Sequence, residues 1–187
     1  MAIRSLKTGQ FSRSALVGNP VIMPGSYESI ATATFTGSAL SITFSSIPST
    51  YSHLQIRGFA RTPSGNDQID LRFNSDTGNN YSMHGLSGSG SSASAEGYGT
   101  QNRIFNVNSP ISNADIYCLS VIDILDYANT NKYKTVRTLQ GYDANGSGVI
   151  AFNSGSWQST SAVTSITLAA RSYNPTSIST FALYGVN

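Results

Sequence analysis

The chain is expected to fold as an all-β protein: a two-sheet antiparallel β-sandwich, jelly-roll-like, with an extended N-terminal arm. Three observations lead there. Only 11% of the 187 residues are charged, against roughly 25% in an ordinary globular protein. Their place is taken by 31 Ser, 17 Thr, 15 Asn and 17 Gly, whose short polar side chains compete for backbone hydrogen bonds and form helices poorly. Short runs of alternating apolar and polar residues, separated by turn signals, recur from Tyr27 to the end, and no segment has helical periodicity.

Residues 1–26 read as the arm and 27–187 as the sandwich. "VGNPVIMPGS" carries two prolines and two glycines. Each proline removes a backbone donor and holds its predecessor extended. The arm is basic, with Arg4, Lys7 and Arg13 and no acid before Glu28, and it carries apolar beads at Leu6 and Phe11. Apolar beads among cations suit a segment that orders against another protein, exchanging chain entropy for buried contact. Arg4, Leu6, Lys7, Phe11 and Arg13 are therefore the candidate anchor to a partner.

"ESIATATFT" and "SALSITFSSI" flank Gly37-Ser38 and read as a hairpin. "SHLQIRGFAR" places Leu54 and Ile56 on one face and Gln55 and Arg57 on the other. "QIDLRFN" points Ile69, Leu71 and Phe73 inward, Asp70 and Arg72 outward. The stretch from Asn74 to about Gln101 reads as a Gly/Ser loop, followed by a short strand, "NRIFNVN". "ADIYCLSVIDILDY" is the most apolar run and reads as a central strand buried on both faces, with Cys118 as a small buried hydrophobe. Asn145-Gly146 marks a hairpin. "AVTSITLAARS" and "ISTFALYGV" are two more strands. About nine or ten strands in all fit a jelly roll better than a seven-stranded sandwich.

The search for chemistry yields little. Asp76, His84 and Ser87, Ser89 or Ser91 supply the residue types of a hydrolase triad, but they share one flexible stretch with no strand-to-helix elbow. Asp123 and Asp126 are three apart, so on a strand they face opposite ways and cannot work as a glycosidase pair. Asp143, Asn145 and Ser147 open like a calcium loop, yet Ser154 stands where the twelfth-position glutamate belongs. No catalytic residue, metal site or cofactor is expected. A formal charge of +2 does not suggest a nucleic-acid partner, and no stretch approaches the ~20 apolar residues of a membrane span. The start has no apolar run of signal-peptide length, so synthesis in the cytoplasm is expected. Tyr81, Tyr98 and Trp157 are candidates for stacking on a glycan.

The phrases "SIPSTYSHLQIRGFAR", "LRFNSDTGNNYSMHGLSGSG" and "VIDILDYANTNKYKTVRTLQGYDANGSG", with the ending "TFALYGV", resemble a family of small β-sandwich virion proteins of tailed bacteriophages. The opening "MAIRSLKTGQFSRS" is similar to the starts of such proteins. The resemblance implies a structural protein displayed on the particle, on the head or in the tail-fibre apparatus. The leading expectation is a capsid decoration or cement protein, a homo-oligomer, expected to be a trimer, whose arm ties it to the major capsid protein or other virion proteins. The alternative is a receptor-binding or tail-fibre module that contacts host glycan.

Overall fold

The computed structural model describes residues 26–63, 67–109 and 115–187, with backbone alone at 105–109. The anchor candidates Arg4, Leu6, Lys7, Phe11 and Arg13 lie outside the described residues. Twelve strands and no helix are found among those described. They are β1 (Tyr27–Thr34), β2 (Ser41–Phe44), β3 (His53–Ala60), β4 (Asp67–Phe73), β5 (Tyr81–Gly88), β6 (Ala93–Gln101), β7 (Ile104–Ser109), β8 (Cys118–Leu125), β9 (Lys134–Asp143), β10 (Gly148–Trp157), β11 (Ile166–Ala170) and β12 (Thr180–Val186).

They form two antiparallel sheets. One has eight strands in the order β1-β12-β3-β8-β9-β10-β5-β6, the other four in the order β2-β11-β4-β7. Four pairings are nested in the chain: β1 with β12, β2 with β11, β3 with β8 and β4 with β7. Such nesting is what a long doubled ribbon leaves when it winds across two sheets, the jelly-roll pattern. Two further hairpins interrupt it. β5–β6 is inserted between β4 and β7, and β9–β10 between β8 and β11. Both attach to the same edge and widen one sheet from four strands to eight.

The core lies between the sheets. Leu54, Ile56, Ile122, Ile124, Val136, Phe181 and Leu183 from the larger sheet meet Ile69, Leu71, Phe73, Ile166 and Leu168 from the smaller, all essentially without solvent contact. Residues two apart share a face, so "QIDLRF" delivers Ile69, Leu71 and Phe73 together, as its alternation predicts. Asp70 lies on the opposite, outer face, as its position in the alternation predicts, but solvent does not reach it there. It is buried, held by a two-pronged bond from Arg171 (2.8 and 2.9 Å) and by Arg103 at 3.4 Å. Cys118 is buried as expected.

At the tip of β9–β10, Asn145 and Gly146 both have positive φ (54° and 103°), and the Ala144 N–H donates to the Ser147 carbonyl at 2.7 Å. Two consecutive left-handed residues define the tight turn whose twist matches a hairpin. The Asp143 carboxylate accepts the Asn145 N–H at 2.7 Å, which makes it a turn-former.

Three expectations need correction. The segments around Gly37-Ser38 are no hairpin: β1 pairs with β12 in one sheet and β2 with β11 in the other, so the glycine marks a crossing between layers. Most of the supposed Gly/Ser loop is strand, because β5 pairs with β10 along its whole length and carries β6 on its far side. Finally, β8 is not buried on both faces. Its residues alternate, with Cys118, Ser120, Ile122 and Ile124 inward and Leu119, Val121 and Leu125 turned out to solvent.

Candidate functional site: the outer face of the wide sheet

Those outward residues of β8 belong to a larger surface. Val121, Leu139, Phe152 and Leu86 stand directly opposite one another on β8, β9, β10 and β5, forming one apolar row across four strands. Two residues along, Leu119, Gly141, Ile150 and Gly88 form a second row. The six large side chains are between 36% (Val121) and 66% (Leu119) exposed. Together they present roughly 500–600 Å² of apolar surface, at the upper end of what a typical soluble monomer shows in one patch.

The second row is hollow at Gly88 but not at Gly141, where an added side chain would meet the Val149 carbonyl oxygen at 2.7 Å. A side chain added at Gly88 would meet nothing closer than 4.0 Å. The space opens into a groove of about 760 Å³, lined by Tyr117, Leu119, Val121, Leu139, Ile150 and the β9–β10 turn. On the other side of the first row the face turns polar. Gln55, Asp123, Arg137, Ser154 and His84 stand opposite one another along β3, β8, β9, β10 and β5. The Gln55 amide donates to Asp123 at 2.7 Å. Arg57 donates to Gln55 and lies over the rings of Tyr27 (5.1 Å) and Tyr184 (5.8 Å). An apolar centre bounded by paired polar groups is the anatomy of a protein contact surface.

Two of the three glycan candidates are corrected by burial. Tyr81 is fully buried and Trp157 is 2% exposed, so neither ring can stack on a sugar. Both point inward from β5 and β10, where Trp157 lies 5.4 Å from Phe73 and 6.4 Å from Tyr81, ring centre to ring centre. Tyr98 is 39% exposed, on edge strand β6, with its hydroxyl donating to Glu96 at 3.1 Å. Opposite Met83, it lies on the face away from the apolar rows.

Asp76, itself half-exposed, is tied to this buried assembly. It accepts the Trp157 indole N–H at 2.7 Å, the Asn80 amide at 3.0 Å and the Gly78 N–H at 2.8 Å. Desolvation acts to raise its carboxyl, but the bonds from Trp157, Asn80 and Gly78 outweigh it and hold the group below the usual carboxylate range. His84 projects outward from β5 into the polar row. The triad residue types thus point to different sides of the sheet. Among the described residues, no group of three or more His, Cys, Asp or Glu side chains could hold a metal ion, and no helix is long and apolar enough to cross a membrane.

Tyr81 offers a test of this packing. Its hydroxyl accepts the Phe73 N–H at 3.1 Å and donates to the Asp76 carbonyl at 3.1 Å, and burial pushes the phenol up to about 12. Because the folded state holds this proton more tightly than the unfolded chain, the stabilisation is complete below pH 10. It is lost as pH rises toward 12, on the order of 2 kcal/mol in all. Tyr81→Phe should be less stable at neutral pH, by about 1–2 kcal/mol for the unpaired Phe73 N–H, and should lose less than the wild type between pH 9 and 11.5. Thermal melts of both proteins check this; equal alkaline losses would count against a buried neutral phenol.

The outer apolar face was missed from sequence, although a signal existed. Strands β8, β9 and β10 each carry apolar residues in both phases of their alternation, such as Val136 and Leu139, three apart and so on opposite faces. Comparison with models of known protein families, with curated proteins and with solved structures finds no match to this chain.

Proposed function

We propose that this chain is a non-enzymatic structural protein of a tailed-phage particle, acting as a capsid decoration or cement protein. The observation that carries the reading is the apolar outer face of the eight-stranded sheet. A surface of that size is costly to leave in water and suits a protein that works by being built into an assembly. The resemblance of its strand-and-turn phrases to small virion β-sandwich proteins supplies the kind of assembly. The arm, through Arg4, Leu6, Lys7, Phe11 and Arg13, would reach the major capsid protein or another virion protein. A homo-oligomer would present several arms at once, multiplying modest individual contacts.

The tail-fibre alternative keeps only Tyr98 of its three aromatic contacts, because Tyr81 and Trp157 are core. Under the decoration reading, Tyr98→Ala leaves host binding unchanged.

The test is incorporation. Purified particles should contain the chain in numbers comparable to the major capsid protein rather than to a tail protein. Removing residues 1–25 should abolish incorporation while the far-ultraviolet strand signal persists. Truncated protein that still decorates particles would remove the arm from the reading, and a tail-like copy number would favour the fibre module.

A further inference from the structure

The apolar rows need an occupant, and the face itself indicates one. We propose that they are closed by the same face of a second copy of this chain, related by a two-fold axis. The proposal rests on reading this face as an assembly surface, and it adds the identity of the partner.

Three features favour a second copy. The first is area: roughly 500–600 Å² of apolar surface with its polar margin approaches the ~800 Å² that each partner contributes to a standard stable interface. The second is shape. A two-fold contact needs bump and hollow on one surface, because whatever residue i meets on its partner must in turn be met by i. Leu119, Ile150 and Phe152 stand out from the sheet beside the hollow at Gly88. The face is also a sheet surface, and two such surfaces stack aligned with their side chains interdigitating. The third is charge. The polar row beside the patch sets an acid, Asp123, and a base, Arg137, directly opposite each other on β8 and β9, with His84 further along on β5. Two antiparallel copies of that margin can set Asp123 of one against Arg137 of the other, with no net repulsion between the faces.

The experiment is sedimentation equilibrium on the full chain and three full-length variants. Wild type should have twice the single-chain mass of 19.8 kDa; three times that mass, the trimer expected above, would overturn a two-fold closure of this face. Phe152→Asp combined with Leu139→Asp should weaken association at least about tenfold and give the single-chain mass, since both side chains lie at the centre of the contact. Its circular dichroism should match wild type, because neither residue belongs to the core. Arg137→Asp should weaken association by placing like charges across the margin. Leu6→Asp combined with Phe11→Asp should leave the mass unchanged.

A single-chain mass for wild type would overturn the second copy as occupant, as would face variants that retain the wild-type mass. Dissociation by the Leu6/Phe11 variant alone would assign association to the chain's own first segment instead. Particle incorporation separates this proposal from the reading beneath it. If wild type is monomeric but Phe152→Asp/Leu139→Asp fails to enter particles, the face serves another virion protein and only the self-association fails. If the variant also incorporates normally, the face has no part in assembly and both fail.

Discussion

Replacing Trp157 with alanine should destabilise the domain by about 3–5 kcal/mol, the range for removing a large buried aromatic. For a domain of this size that is a fall in melting temperature of roughly 10–15 °C. The reasons are local. Trp157 ends β10 with its ring against Phe73 and Tyr81, bridging the inserted hairpins to β4 in the other sheet. Its indole N–H is also the donor that fixes Asp76 and, through it, the turn from Phe73 to Tyr81. Trp157→Phe keeps a ring but leaves the carboxylate without that donor, and should cost about 1–2 kcal/mol. As the only tryptophan, Trp157 lets fluorescence follow unfolding of the wild type directly. Near-neutral stability of Trp157→Ala would show that this ring is not the core joint between the two sheets.

Gly58→Ala should be nearly as damaging, about 3 kcal/mol, a fall of roughly 6–12 °C. Gly58 sits in the middle of β3, paired with β12 on one side and β8 on the other. A methyl there would stand 2.3 Å from the Phe181 ring and 2.5 Å from the Thr180 carbonyl oxygen. The oxygen is backbone in a paired strand, and Phe181 is fully buried, so neither can retreat without breaking the β3–β12 ladder or opening the core. A urea titration reading the midpoint and slope checks the effect. An unchanged midpoint would mean that β12 shifts freely, contrary to its place between two paired strands.

The contrast between these sites and the outer face explains what the sequence could convey. Strand positions were legible wherever one face was buried and the other wet, as in Ile69, Leu71 and Phe73, because alternation then records burial directly. The Asn145-Gly146 turn was legible because its backbone demands residues that tolerate positive φ. Strands β5 and β6 were not, since "SGSGSSASAEG" pairs through backbone groups that every residue carries and has almost no apolar alternation to reveal it. The crossing at Gly37 was misread because a glycine between two strands looks the same whether the chain returns to its own sheet or passes to the other. Apolar content in β8 suggested burial on both sides. The second side is in fact the outward one, and a single chain's sequence does not distinguish a surface covered from within from one offered to a partner. Tyr81 and Trp157 misled for the converse reason: aromatic rings beside polar turns suit sugar stacking, but here they pin the turn to the core.

The most direct test of assembly through the outer face is side-chain footprinting of the full chain, concentrated and then diluted, with a small carbene label. Leu119, Leu139, Ile150 and Phe152 should lose labelling as concentration rises. Tyr133 and Ile178, equally exposed but elsewhere on the fold, should label the same throughout. Constant labelling of the four face residues at every concentration, or protection at Tyr133 and Ile178 instead, would contradict it.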